Sequence, residues 1–490
     1  MSTPIVVLPN GLGSLRGVQH ATCQSFLGIP YAAPPVGPRR FQPPQQPEAW
    51  DAVREATAYG PWAPQTADVP GSPLPRDVVA GDDFLTLNVW TPDTQGRAPV
   101  MVFIHGGSFT TGSGAVPAYD GTAFARDGVV LVTINYRLGV EGFLWTGEGT
   151  PNLGLLDQVA ALRWVQDNIC AFGGDPSNVT VFGESAGAMS VVTLMTMPMA
   201  KGLFQRAIAE SGAGENVHDN DTARMVSQRL AEHLGVAPTL AGIGAVPQAE
   251  LLAGLAAIEA SVATSTLGDS WGDVARTLLP FCPVIDGNIV PAMPRDLMHS
   301  GAAHNVDLML GTNAEEARLF FVPDGSIGRM DPRMPTVLAH RYGAQADDVQ
   351  QAYHRHGIHD HGDVAAAVLT DGFYRVPALR IASHQPNAYL YQFTWKSPAY
   401  DGKLGSCHAL ELPFVFDNLD SPDVQLLLGG QRPQHIADRM HAAWIAFART
   451  GNPGWQPFRE GRASMEFGDD SGLQAPDRTV DPEYWPTIEE

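Results

Sequence analysis

Cysteine is scarce in this sequence, with four in 490 residues, at positions 23, 170, 282 and 407. They are far apart and show none of the short spacings of a thiolate metal site or a disulfide framework. Unpaired thiols suit a reducing compartment. Lysine is scarcer still, occurring only at 201, 396 and 403, so arginine carries nearly all the positive charge. Basic residues are outnumbered, 30 against 52 acidic ones, and the formal net charge is −22. A chain of that sign repels phosphate backbones, so nucleic acid is not an expected partner. Long apolar runs are missing too, and none reaches the roughly 18 residues of a membrane span. The opening stretch, residues 1–17, has no basic segment, apolar core or cleavage site of secretory type. The expectation is a soluble, cytoplasmic protein with no membrane partner.

What is present is ordinary globular material, 44% hydrophobic and 17% charged. The length exceeds what one hydrophobic core usually supports. The motifs described below nevertheless run from about residue 30 to residue 415 and need one another. Residues 1–490 are therefore read as a single domain with mostly helical insertions at about 215–280 and 323–385, covering the sheet edge and roofing a pocket. Short β-like runs, Ile5–Leu8 and Ser25–Leu27, alternate with glycine turns as at an antiparallel edge. A proline-rich stretch at 29–38 reads as an extended loop, and residues 61–81 are again rich in proline and glycine. Beyond them, Leu85–Trp90, Val100–Ile104 and Val129–Asn135 are apolar, β-branched runs, as expected of strands buried on both faces of a largely parallel sheet. Helical spacing follows over Gly154–Phe172, then a strand Asn178–Phe182 and at once a helix Ala186–Met195. Further strands are expected at Ala207–Glu210, Val306–Gly311 and Ala388–Trp395, with a closing helix over Pro433–Arg449. This alternation predicts an α/β fold.

Three features carry chemistry. Gly183-Glu184-Ser185-Ala186-Gly187 fits G-x-S-x-G, in which serine sits on a tight strand-to-helix turn with its Oγ exposed. A second match surrounds Ser270, but it follows a polar Ser/Thr-rich stretch and opens no apolar helix, so Ser185 is the candidate nucleophile. His105-Gly106-Gly107-Ser108-Phe109 follows a strand, where glycines let peptide N–H groups face a crevice. Gly107, Ser108 and Ala186 are the candidate oxyanion donors, with Gly106 and Glu184 as supporting residues. His408, after the strand Ala388–Trp395, is the candidate base. Its acid partner is either Glu315 or Glu316, which follow Val306–Gly311, and spacing alone does not choose. Cys407 reads as a packing residue. The histidines at 354, 356, 359 and 361 read as a solvated loop, and no metal is expected.

These motifs, with the block NLGLLDQVAALRWVQDNICAFGGDPSNVTVFGESAG at 152–187, FLGIPYAAPPVGPRRF at 26–41, AESG at 209–212, GTNAEE at 311–316 and HALELPFVF at 408–416, resemble the type-B carboxylesterase family. The likeness runs nearly end to end and is closest to the bacterial para-nitrobenzyl esterase-like members of this cholinesterase superfamily. It implies an α/β-hydrolase fold, a large mostly parallel sheet flanked by helices, and a Ser185–Glu316–His408 triad. It implies Ser211 as a buried serine supporting the triad by hydrogen bonding. It also implies ion pairs Arg40–Asp82 and Arg137–Asp157. Ala317 stands where the family pattern has glycine, and Phe84 where animal members have a disulfide cysteine. Residues 63–81 contain no tryptophan to face choline, so cholinesterase-like specificity is not expected.

The activity so implied is a cofactor-free serine carboxylesterase that cleaves small-molecule esters through an acyl-enzyme, as a monomer or small homo-oligomer. Amidase, carbamate hydrolase or acyltransferase chemistry on the same triad is the alternative, and a catalytically silent binding protein a remoter one. Activity is expected to rise with pH near the ordinary histidine value of about 6.5.

Overall fold

The runs Val100–Ile104, Val130–Ile134 and Val179–Phe182 are apolar apart from Thr133 and Thr180, and every one of their residues is buried. Side chains alternate between two cores. Val100, Val102, Val179, Val181, Ala207 and Leu308 join one cluster. Met101, Phe103, Phe182, Ile208 and Met309 join the other. That two-residue period is what a strand covered on both faces produces. The computed structural model describes residues 3–66, 78–263, 271–474 and 485. Ser270 and residues 67–77 lie outside the described residues.

The strands form an 11-stranded mixed sheet. Its order is Gly472–Gln474, Ser464–Phe467, Ala388–Phe393, Asp307–Asn313, Arg206–Glu210, Gly174–Glu184, Ala98–Ile104, Val130–Ile134, Thr86–Thr91, Gln24–Pro30, Val18–Gln19. From Ser464–Phe467 across to Val130–Ile134 every pairing is parallel. Antiparallel pairings close both ends. The register sets Ile104 beside Gly183, Glu184 beside Glu210, and Glu210 beside Gly311. Four adjacent parallel strands thus end at one level, and the loops leaving them share one rim. In such sheets that carboxyl rim is where ligands bind. A separate sheet joins Ile5–Val7, Ser14–Arg16 and Val53–Glu55.

Helices Leu153–Asn168 and Ala186–Thr196 pack on one face, and Gln434–Thr450 on the other through Ile436, Met440, Trp444 and Phe447. The long helix expected over Gly154–Phe172 tightens into a 3-10 turn at Ile169–Phe172, and Gly173 ends it at φ 71°. The strand expected at Asn178–Phe182 begins earlier, at Gly174. The short strands Ser464–Phe467 and Gly472–Gln474 extend the sheet beyond what apolar patterning revealed, because they pair at an edge and are only partly buried. Between Arg206–Glu210 and Asp307–Asn313 stand helices Asn220–Leu234 and Gln248–Ala263. Between Asp307–Asn313 and Ala388–Phe393 stand Ala346–Arg355, His361–Leu369 and Val376–His384. Among the described residues no helix is long and apolar enough to cross a membrane.

One of the two expected ion pairs forms. Arg137 forks onto Asp157 at 2.7 and 2.8 Å, donates its Nη1 to the Gln42 carbonyl at 2.7 Å, and is fully buried with its partner. Arg40 instead meets Glu141 at 2.8 Å and the carbonyls of Gly244 and Val246 at 3.1 and 3.0 Å, not Asp82. Glu141 lies in the first turn of the short helix Gly139–Phe143, which turns it toward the guanidinium. Removing one member of a buried pair strands the other charge. Asp157→Ala is expected to lower stability by about 3–5 kcal/mol, read as a reduced urea midpoint with an unchanged slope.

Candidate active site

Ser185 sits between the strand Gly174–Glu184 and the helix Ala186–Thr196, at φ 55° and ψ −122°. A positive φ in a residue bearing a Cβ is strained, and such strain persists where the surroundings over-determine it. Here the Ser185 N–H donates to the Glu210 carbonyl at 2.8 Å, and its own carbonyl accepts from Met189 at 2.9 Å. The turn is tight because the strand Ala98–Ile104 crosses beside it. A Cβ at Gly183 would lie 2.6 Å from the Ile104 oxygen, and one at Gly187 would collide with the same atom.

The loop after that strand brings the glycine motif to Ser185. A Cβ at Gly106 would lie 2.8 Å from the Glu184 carbonyl and 3.0 Å from the Ser185 Cβ, so glycine permits the approach. Gly107, Ser108 and Phe109 follow at φ 106°, 57° and 61°. Among the described residues the N–H groups of Gly107 and Ser108 find no acceptor, while the Gly107 carbonyl accepts from Thr110 and Thr111 at 3.0 and 2.9 Å. Ala186 opens its helix, where first-turn N–H groups lack intrahelical partners. His105 anchors this loop rather than titrating in it. Its Nδ1 donates to the Gly106 carbonyl at 2.8 Å, its ring stacks on Tyr136 at 4.5 Å, and burial lowers its pKa to about 4.

His408 lies on the loop after Ala388–Phe393. Its Nδ1 donates to Glu316 Oε2 at 2.7 Å and its backbone N–H to the Glu316 carbonyl at 3.1 Å. Glu316 Oε1 accepts the Asn313 N–H at 2.7 Å. Glu315, the other acid left open by spacing, points elsewhere: it pairs with Arg318 at 3.1 Å and Lys396 at 3.4 Å and accepts the Ser406 N–H at 3.0 Å. The Nε2 of His408 lies 3.0 Å from Glu184 Oε1, in ion-pair range. Burial pushes the imidazole down, but the carboxylates of Glu184 and Glu316 outweigh it and hold the pKa well above the ordinary value. The expected titration near 6.5 is corrected upward on that ground.

Ser211 is buried at φ 55° beside this group, yet its Oγ finds no partner among the described residues, so the implied supporting hydrogen bond is not made. Burial drives the Cys407 thiol far up, with Glu316 and Glu411 adding to it, which leaves the thiol inert. The histidines at 354, 356, 359 and 361 lie on and between two helices. Asp360 caps one of these, and Asp363 pairs with Arg318 at 2.8 Å. Among the described residues no three His, Cys, Asp or Glu side chains are gathered as a metal site requires.

Several neighbours escaped sequence reasoning. The rings of Tyr374 and Phe320 flank His408 at 4.9 and 5.5 Å. Tyr374 comes from a π-helical stretch, Thr370–Arg375, and widened turns of that kind recur at functional sites. Glu210 accepts the Trp444 indole N–H at 2.7 Å, and its burial, opposed by that bond and aided by Glu184, pushes it up to about 8. Glu411 accepts from the Asn313 side chain and is driven well above the usual range by burial and by Glu184, Glu316 and Glu210. The available signal was a lone glutamate inside each of two apolar runs, Ala207–Glu210 and Ala409–Phe416.

Ser185, Glu184, His408 and Gly106 to Ser108 line one cavity of about 470 Å³. Both helical segments contribute to its walls, through Leu278 and Leu279 on one side and Leu369, Phe373 and Tyr374 on the other.

The family model described as the carboxylesterase family matches residues 2–464. The chain is 39% identical to a para-nitrobenzyl esterase of Bacillus subtilis (strain 168), over 90% of this chain and 89% of that protein. It is 36% identical to a phenmedipham hydrolase of Pseudarthrobacter oxydans, over 95% of each. The solved Geobacillus stearothermophilus carboxylesterase EST55 superposes with a TM-score of 0.84 at 36% identity, covering 98% of this chain and 100% of that one.

A base held between two carboxylates stays protonated, and idle, to higher pH. The rising limb of kcat/KM against pH is therefore expected to have its midpoint above 6.5, and Glu184→Gln to move it down. A midpoint at or below 6.5 in the wild type would contradict the two-carboxylate geometry.

Proposed function

This chain belongs to the carboxylesterase family, and we propose that Ser185, His408 and Glu316 are its nucleophile, base and acid. It is a serine carboxylesterase on an α/β-hydrolase fold. In this reading Ser185 Oγ attacks the ester carbonyl while the neutral His408 takes its proton through Nε2, the nitrogen turned away from Glu316, which gives up its 3.0 Å contact with Glu184 Oε1 to do so. The N–H groups of Gly107, Ser108 and Ala186 bind the oxyanion. The tetrahedral intermediate collapses, His408 returns the proton to the departing alkoxide, and the alcohol leaves. Water, activated by the same imidazole, then releases the acid and restores Ser185. Glu316 orients the ring and balances its charge throughout. Side chains and backbone carry every step, so no cofactor is called for.

The observation that carries the proposal is the 2.7 Å His408–Glu316 contact on the wall of the same cavity as Ser185 and two loop N–H groups without an acceptor among the described residues. The apolar walls favour esters with bulky hydrocarbon or aromatic groups. The proposal extends to a single domain, since strands from both ends of the chain share one sheet. It extends to a cytoplasmic location, supported by four unpaired cysteines, and to a monomer or small oligomer that binds no nucleic acid.

Hydrolysis of para-nitrophenyl butyrate by wild type and by Ser185→Ala, prepared in parallel, tests the assignment. The substitution is expected to cost about four orders of magnitude or more in kcat/KM. Ser270→Ala is expected to keep wild-type turnover. Turnover surviving in Ser185→Ala would overturn the nucleophile.

A further inference from the structure

The cavity is lopsided in charge. Of the described residues that line it, none is lysine or arginine, and its ionisable groups other than tyrosines are His408, Glu184 and Asp423. Glu184 faces His408, so each finds a counter-charge in the other. Asp423 has none: no arginine, lysine or histidine among the described residues pairs with it. Its carboxylate is also held still. Oδ2 accepts the Ala118 N–H at 3.0 Å and Oδ1 accepts the Ser421 hydroxyl. Asn418 donates to the Pro117 carbonyl at 3.0 Å, which stitches the same two loops together. Ala118, Tyr119, Asp423 and Val424 thereby form one wall of the cavity. The Tyr119 hydroxyl, buried there, is driven well up by burial and then by Glu184 and Asp423, a sign that the charge reaches across this wall.

We propose that Asp423 is a specificity-determining residue, whose fixed and uncompensated carboxylate makes the site discriminate against esters carrying a negative charge on the acyl or alcohol group. The inference rests on the esterase reading above. A carboxylate-bearing substrate entering this cavity loses water and meets repulsion with no lysine or arginine in the described lining to offset it, the His408 imidazole being already flanked by Glu184 and Glu316. Neutral substrates meet only the apolar and aromatic walls. Two hydrogen bonds fix the Asp423 charge in place, so it does not swing away as an exposed side chain does. Because half-buried charges are screened less than exposed ones, the discrimination resists salt only in part.

Matched esters test this. On the acyl side, para-nitrophenyl hexanoate is compared with mono-para-nitrophenyl adipate. On the alcohol side, benzyl butyrate is compared with 4-carboxybenzyl butyrate. The wild type is expected to favour the neutral member about tenfold or more in kcat/KM in at least one series. Asp423→Asn, which keeps the shape and a hydrogen-bonding amide, is expected to shrink that ratio about fivefold. Asp167→Asn removes an equal charge from an exposed position on the helix Leu153–Asn168, outside the cavity lining, and is expected to leave the ratio as it is. The wild-type ratio should also narrow as salt is raised, and more than that of Asp423→Asn. A ratio that is equal in wild type and Asp423→Asn, or that Asp167→Asn shrinks as much, overturns the role of Asp423. Should Asp423→Asn fail to fold, a wild-type ratio near one, or one indifferent to salt, overturns it equally. Failure to hydrolyse either neutral ester would instead overturn the esterase reading, and this inference with it.

Discussion

The carbonyl oxygen of Ile104 stands where the side chains of residues 183 and 187 would otherwise be. Everything at the rim follows from that contact. It lets the strand Ala98–Ile104 lie close against the nucleophile turn, which delivers Gly106 to the Glu184 carbonyl and the Ser185 Cβ. The peptide groups after Gly106 then face the same space as the serine. A methyl group at either glycine would push the Ser185 turn away from the strand Ala98–Ile104 at the level where the proposed nucleophile and oxyanion donors meet, and a shift of an ångström there is costly to catalysis. The positive φ of Ser185 is the local cost of that approach, borne by hydrogen bonds to Glu210 and Met189.

Beneath this backbone arrangement lies an electrostatic one. Glu184, Glu210, Glu316 and Glu411 are all buried, and among the described residues the cation that contacts them is the His408 imidazole, through Glu184 and Glu316. Such a group cannot hold four negative charges. The two that do not touch the ring, hydrogen-bonded to Trp444 and Asn313, have their pKa values raised by burial and by the other carboxylates, while the two that flank it favour the charged imidazole. The imidazole therefore sits in a prepared field, and that field sets the acidity at which the base becomes available.

Much of this was legible in the residues. Runs that are apolar on both faces, such as Val100–Ile104, have few ways to be satisfied except as central strands, and the glycines around Ser185 announce a turn that nothing bulkier fits. The α/β class and the helix Ala186–Thr196 followed from those constraints. Short edge strands such as Gly472–Gln474 escaped because an edge buries little and so needs no apolar pattern. The choice between Glu315 and Glu316 could not be made from spacing, since it depends on which carboxylate turns inward. Arg318 and Lys396 claim Glu315. The Arg40 pairing was misassigned for a related reason: a flexible guanidinium goes to whichever carboxylate the fold brings nearest, and the helix carrying Glu141 was not anticipated. The Ser211 hydrogen bond, taken from likeness, does not form in this rotamer arrangement, whereas the burial of Ser211 does hold.

The His408–Glu316 contact joins residues 92 apart, and the strand carrying Ser185 enters the sheet well before either. Contacts of that sequence separation form late, because the chain must close long loops before they repay the entropy lost. While the chain is being synthesised, the serine turn can thus be folded and still have no base to activate it. With His408 as the proposed base, hydrolysis requires that residue 408 has emerged and that the strand Ala388–Phe393 has docked on Asp307–Asn313. On that assignment, acquisition of hydrolytic competence reports completion of the sheet, and a fragment ending short of that point lacks the base for ester cleavage.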